Sequence, residues 1–160
     1  MDENSLTGDK DPIINYYKSC LQSDSTALPI FDHIVKKTLL LRDYKLNLGQ
    51  VEGLAIACEY LDHTDINRIC FDNCGINGDS FAIILDGVRN LKDFKAFTLR
   101  LSPINSLTID KLTPLLERRI PHHLEELNFI DCRISSTLIE QLIDTMMKQS
   151  QIKKFALCQA

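Results

Sequence analysis

One apolar ladder recurs four times along this 160-residue sequence, and it constrains the fold more than any other feature. The ladders begin at Ile66, Phe94, Leu124 and Ile152, so their starts are 28, 30 and 28 residues apart. Each of the first three carries apolar residues at its first, fourth, sixth and eleventh positions. A fixed period of this length predicts stacked units of one strand and one helix, not a single layered core.

Two apolar periodicities alternate within each unit. Alternating residues such as Ile69 and Phe71 predict a strand with one buried face. The segment that follows has helical spacing, as in Phe81, Ile84 and Val88. Parallel strands joined by right-handed crossovers are therefore expected. Because helices are wider than strands, the resulting α/β solenoid should curve, with its strands on the concave side and its helices on the convex side.

The chain divides into three predicted regions. Residues 1–11 are polar and acidic, which is typical of a flexible leader. Residues 12–35 are predicted to form a helical cap that covers the exposed front of the stack. Residues 36–160 hold about four repeat units, of which the first is atypical, plus an incomplete fifth. In the cap, a short amphipathic helix is expected to have this apolar face: Ile13, Ile14, Tyr17, Cys20 and Leu21.

The charge distribution argues against nucleic-acid and membrane partners. The net charge is -4. Residues 1–34 contain two Lys against six Asp and Glu, and the sixteen basic and sixteen acidic residues that follow cancel. There is no basic stripe or basic amphipathic helix, and no apolar run approaches the roughly 18 residues that span a bilayer. The first residues also lack the pattern of a signal peptide.

The six cysteines favour a reduced, cytoplasmic setting over a disulfide framework. Cys74 and Cys132 share one repeat position, and Cys70 and Cys158 share another, so the repeat itself explains four of them. No base is placed to activate a thiolate. No histidine has a partner at metal-ligand spacing, whether His33, His63, His122 or His123. We therefore predict no catalytic group, metal, cofactor or small-molecule substrate.

The units at 66–93 and 124–151 resemble leucine-rich repeats of the ribonuclease-inhibitor-like subfamily, and the resemblance covers residues 36–160. It implies a horseshoe with a full helix on the convex side of each unit. In that subfamily a Cys or Asn that closes the ladder makes hydrogen bonds in the loop leaving the strand. Cys74 and Cys132 match this position, whereas Tyr44 and Ser102 depart from it.

The opening segment adds a second resemblance. Tyr16-Tyr17-x-x-Cys20, followed by Pro29 and the ladder at Leu39, is similar to the capping lead of leucine-rich-repeat proteins in cilia and centrosomes. This resemblance implies a cytoskeletal or ciliary assembly. The last ladder begins at Ile152 with no helix after it, so we expect a fragment of a longer repeat protein or another chain that covers this end.

The strand residues that point to the concave side are the candidate protein-binding site. They are mixed in polarity, which suits a protein surface better than a phosphate or a metal. The alternative is a solvated strand surface, with the contacts made by the convex helices or by the ends. The candidate residues are Leu40, Arg42, Asp43, Cys70, Asp72, Asn73, Thr98, Arg100, Leu101, Asn128, Ile130 and Asp131.

The sequence thus predicts a non-catalytic scaffold that binds protein partners within a larger eukaryotic complex. A regulator of a small GTPase is the alternative, because Ran GTPase-activating proteins are built from similar repeats. In that alternative an arginine such as Arg42, Arg100 or Arg133 would act on the transition state. No catalytic motif of that family can be matched residue by residue, and a shared fold does not convey a shared function.

Overall fold

The computed structural model describes residues 10–116, 124–149 and 152–158, in which strands and helices alternate. The strands are β1 (Ile34–Val35), β2 (Thr38–Arg42), β3 (Arg68–Asp72), β4 (Ala96–Arg100), β5 (Glu126–Ile130) and β6 (Lys154–Cys158). The helices are α1 (Pro12–Gln22), α2 (Leu48–Cys58), α3 (Gly78–Val88), α4 (Ser106–Leu116) and α5 (Ser136–Gln149). Two short 3-10 turns, Ile30–Asp32 and Leu61–His63, complete the described elements. Most of the predicted leader, residues 1–9, lies outside them.

The six strands form one sheet in the order in which they occur along the chain. The two-residue strand β1 is antiparallel to β2, and every later pair is parallel. Equivalent repeat positions stand side by side, so that Leu41, Phe71, Leu99 and Phe129 form one row across the sheet. The predicted α/β class with a mainly parallel sheet is confirmed.

The core lies between one face of the sheet and a layer of helices. The alternating ladder residues are fully buried, including Phe71, Phe97 and Phe129. Each helix packs on the helices that precede and follow it in the chain. The rings of Phe81 on α3 and Phe97 on β4 meet edge to face with centroids 5.0 Å apart. Aromatic packing of this kind joins strand and helix layers in neighbouring units.

Asparagine begins three of the helices at equivalent places in the repeat. Asn47 forms a capping box with Gln50 at the start of α2. The Asn77 side chain accepts the backbone N–H of Ser80 at 2.8 Å, and Asn105 accepts that of Thr108 at 3.0 Å. Such caps stabilise a helix start by about 1 kcal/mol each. They fix where each strand-to-helix loop ends.

Helix α1 (Pro12–Gln22) forms within the region predicted as a cap, but only Cys20 of its predicted apolar face is buried. The buried residues are Pro12, Tyr16 and Cys20. Tyr16 and Cys20 pack against Gly53 of α2, where an added Cβ would lie 3.1 Å from the Cys20 sulfur. The close approach at Gly53 selects this arc of the helix for burial. The other predicted face residues, Ile13, Ile14, Tyr17 and Leu21, are exposed.

Candidate functional site

The side of the sheet away from the helices, which we call the open face, carries three rows of side chains that alternate with the buried ladder. The first row is Thr38, Arg68, Ala96, Glu126 and Lys154; the second is Leu40, Cys70, Thr98, Asn128 and Ala156; the third is Arg42, Asp72, Arg100, Ile130 and Cys158. A fourth row follows the strands directly: Asp43, Asn73, Leu101 and Asp131. The structure therefore brings all twelve candidate residues together in rows two to four.

An arginine–aspartate–arginine bridge crosses the third row. Arg42 Nε donates to Asp72 Oδ2 and an Arg100 terminal nitrogen donates to Oδ1, each at 3.0 Å. Burial alone would raise the pKa of Asp72, but hydrogen bonds and charge from Arg100 and Arg42 lower it below its ordinary value. The same contacts raise the pKa of Arg100. Both guanidinium groups are thus held in fixed positions across three strands.

A second polar network lies in the first two rows. Arg68 on β3 and Glu126 on β5 form an ion pair of 3.2 Å that passes over Ala96, whose short side chain leaves room between them. The Asn128 amide donates to Glu126 at 3.1 Å and to Thr98 at 3.2 Å. Burial raises the pKa of Glu126, but hydrogen bonds from Asn128 and Arg68 outweigh it and lower the pKa.

The first row was not among the candidate binding residues predicted from the sequence, although the strand alternation that points it to the open face was visible. Its residues precede the second row by two positions, so the same strand alternation points them to the open face. The contact between Arg68 and Glu126 could not be read in this way, because it skips a strand and depends on the small residue between them.

The fourth row has an unusual backbone. Asp43, Asn73, Leu101 and Asp131 all adopt left-handed conformations, with φ between 51° and 60°. Each N–H donates to the last carbonyl of the next strand, as in Leu101 to Ile130 at 3.0 Å. Asp and Asn tolerate this conformation, but for a leucine it costs roughly 1–2 kcal/mol. The Leu101 side chain nevertheless stands in solvent, 45% exposed.

Leu101 is therefore both strained and exposed. Backbone strain at an exposed position is an observation from which a functional hypothesis can start. Its hydrogen-bonded neighbour Ile130 is half-buried, and the two apolar side chains lie beside the charged residues Arg100 and Asp131. Protein interfaces combine apolar and polar side chains in this way.

A cleft of about 400 Å³ extends the open face toward β1. It is lined in part by Val35, Leu40 and Arg42. At its edge, His33 Nε2 and the Tyr44 hydroxyl oxygen lie 2.6 Å apart. Tyr44 occupies the place where the ladder pattern has Cys or Asn, and its hydroxyl contacts His33 of the cap.

The half-buried Cys70 thiol lies in the second row, next to the bridge centred on Asp72. Burial raises the pKa of Cys70, and the charge of Asp72 raises it further. Across residues 10–116, 124–149 and 152–158, no group of three His, Cys, Asp or Glu side chains is arranged to hold a metal. His122 and His123 lie outside the described residues. None of the helices within the described ranges is long and apolar enough to cross a membrane.

The arginines of the alternative GTPase hypothesis differ in their surroundings. Arg42 and Arg100 are both bound to Asp72. Arg133 is exposed just after β5 and forms no ion pair within the described part of the chain. Comparison of the chain with protein-family models, curated proteins and solved structures finds no match.

Proposed function

We propose that this chain is a leucine-rich-repeat module, curved with its open face on the concave side, that binds a protein partner without catalysis. The in-register parallel strands and the packing of each helix on its chain neighbours support the repeat assignment. The exposed, strained Leu101 beside the fixed Arg100 is the observation that carries the binding role.

The chemistry of the face favours a protein over a phosphate or nucleic acid. Both arginines of the third row share the single carboxylate of Asp72, and Asp43 and Asp131 lie next to them, so this group of five side chains carries more negative than positive charges. A polyanion would meet these carboxylates. A protein surface can instead place an apolar side chain on Leu101 and polar groups around it, where fixed arginines are frequent contributors to affinity.

The cellular role in this proposal is that of a subunit or fragment of a larger cytoplasmic assembly, with a cytoskeletal or ciliary complex as the first candidate. The cap sequence supports this choice through its resemblance to ciliary and centrosomal repeat proteins. Co-purification of the tagged chain from extract of ciliated cells, followed by identification of its partners, tests it.

The open face is tested by a pair of matched double variants. Arg100→Glu with Ile130→Asp reverses a charge and removes an apolar contact on the open face. Arg89→Glu with Leu107→Asp makes the same changes at exposed positions of the helix layer. We expect the first to lose the partner while both keep the native circular dichroism spectrum. Loss of the partner only in the second would move the site to the helices and reject the proposal.

The alternative proposal, a regulator of a small GTPase, keeps Arg133 as its candidate residue because that side chain is exposed and not held by a carboxylate of the described residues. It requires the chain to accelerate GTP hydrolysis by a Ran-type GTPase. That acceleration should disappear in Arg133→Ala and persist in Arg89→Ala. GTP turnover that the native chain leaves unchanged rejects this alternative.

A further inference from the structure

Helix α1 has a second apolar face that points away from the molecule. Its inner face is buried on α2 through Tyr16 and Cys20. At 3.6 residues per turn, the outer apolar residues span about 100° of the helix next to this buried arc. They are Ile13 and Ile14, each 39% exposed, Tyr17, 46% exposed, and Leu21, 80% exposed. A terminal cap that faces only water needs a polar outer face.

This outer face has a projection at one end and a cleft at the other. Leu21 is its most exposed apolar side chain. Near the start of the helix, a cleft of about 590 Å³ is lined by the apolar residues Ile13, Phe31, Ile34 and Ile66 and by polar residues that include Asp11 and Asp65. Since each helical residue rises about 1.5 Å, Leu21 and Ile13 are roughly 12 Å apart along the axis.

We propose that a second copy of this chain docks here, with its α1 antiparallel to the first and Tyr17 at the two-fold axis. Ile13 and Leu21 each lie four residues from Tyr17. Antiparallel pairing therefore brings Leu21 of each copy to the cleft beside Ile13 of the other. Such a contact is self-complementary, as a two-fold interface must be.

The charges at the two ends of the helix favour the same arrangement. Lys10 and Asp24 are exposed and lie seven residues on either side of Tyr17. Antiparallel pairing places Lys10 of each copy near Asp24 of the other, so the dimer contains two such pairs. Parallel pairing would instead bring like charges together and leave both clefts empty. The half-buried Asn15 and the exposed Gln22 lie outside the apolar arc.

The test is the mass of the full chain in solution, measured by light scattering after size exclusion from micromolar to several hundred micromolar concentration. We expect a concentration-dependent dimer. Leu21→Asp should weaken it at least about tenfold, because a carboxylate would replace the apolar side chain in a cleft that also carries Asp11 and Asp65. Met147→Asp is the matched control, since Met147 on α5 is 81% exposed. That control should dimerise as the native chain does.

Cross-linking tests the geometry. In a Cys158→Ser background, Tyr17→Cys should form an intermolecular disulfide under mild oxidation, because the two Tyr17 positions meet at the axis. Gln22→Cys, on the polar side of the same helix, should not. A native chain that stays monomeric at every concentration overturns the proposal, as does a dimer that Met147→Asp disrupts and Leu21→Asp does not.

This inference is independent of the proposed partner-binding role. The open-face variant with Arg100→Glu and Ile130→Asp should dimerise as the native chain does, since neither position lies near α1. A dimer that forms normally while partner binding is lost would support both proposals. Partner binding without dimerisation would reject only the docking of a second copy.

Discussion

The strand exits of the second and fourth repeat units are built differently from those of the first and third. Cys74 and Cys132 each donate their S–H to a carbonyl of the preceding strand, to Leu41 at 3.2 Å and to Leu99 at 3.3 Å. At the equivalent place, the buried Ser102 hydroxyl has no hydrogen-bond partner within the described residues. Tyr44 turns to His33 of the cap.

Side-chain reach accounts for this difference. The hydroxyl is the stronger donor of the two groups, but the C–S bond is longer than the C–O bond, so a thiol at this position extends farther toward the carbonyl of the preceding strand than the Ser102 hydroxyl does. The backbone of the third unit is nevertheless the same, because the N–H of Leu101 bonds to Ile130 as the equivalent N–H groups do in the other units. The backbone bonds hold the turn, and the sulfur adds stability.

Among the changes that test this comparison, Cys74→Ser should have the largest effect on stability. The substitution would place a hydroxyl without a partner in a fully buried position, which costs about 1–3 kcal/mol in the free energy of unfolding. Urea denaturation followed by circular dichroism measures the loss. Cys158→Ser, at an exposed thiol, is the control and should be neutral. Equal stability of the two variants would show that the Cys74 hydrogen bond contributes nothing.

Ser102→Cys should make the third unit resemble the second and fourth. A sulfur at this position should reach the carbonyl of the preceding strand, satisfy its own donor and fill the space better. We expect the free energy of unfolding to rise by about 1 kcal/mol in the same urea experiment. A loss of stability would mean that the third unit has no room for the sulfur, and the comparison by reach would fail.

Leu101→Asn should relieve backbone strain in the fourth row and raise the free energy of unfolding by roughly 0.5–1 kcal/mol. Asn73→Leu makes the reverse change in the neighbouring unit and should lower it, with the added loss of the Asn73 bond to Asp43. Thermal unfolding of both variants measures the direction of each change in stability. Leu101→Asn should also weaken partner binding. If both variants shifted stability in the same direction, strain at Leu101 would not be the cause.

Asp72→Asn should have the smallest effect, because Arg42 and Arg100 are 64% and 45% exposed and water screens their charges. The arginines lower the pKa of Asp72 in the folded state. Its contribution is therefore complete above the pKa of the unfolded chain and is lost as pH falls through the folded pKa. The stability difference between native and variant should shrink on acidification. A difference that grows toward acid pH would contradict this assignment.

The alternating ladder was sufficient to predict the strands, their parallel pairing and the positions of the twelve candidate residues. Every second strand residue is buried, as Ile69 and Phe71 show, and the repeat fixes the register between strands. Together these two constraints determine which residues reach the open face. The sequence was not sufficient to predict which face of helix α1 is buried. Apolar residues cover both its inner and outer arcs, and only the close approach of Tyr16 and Cys20 to Gly53 decides which arc is buried.

Contacts that cross several units could not be predicted from local patterns. The ion pair of Arg68 and Glu126 skips a strand, and the bridge centred on Asp72 joins residues 30 and 28 positions away. These contacts depend on the length and direction of individual side chains. The strain at Leu101 was also hidden, because a leucine after a strand gives no local sign of a left-handed backbone.

The bonding of each unit mainly to its chain neighbours has a consequence for how such a protein changes over generations. The sulfur of Cys74, the cap of Asn77 and the row-four amide of Asn73 all bond within the unit or to an adjacent one. An in-frame duplication of residues 66–93 would carry its own set of bonds to both new neighbours. Repeat number can therefore change by gene duplication without loss of the bonds that join neighbouring units.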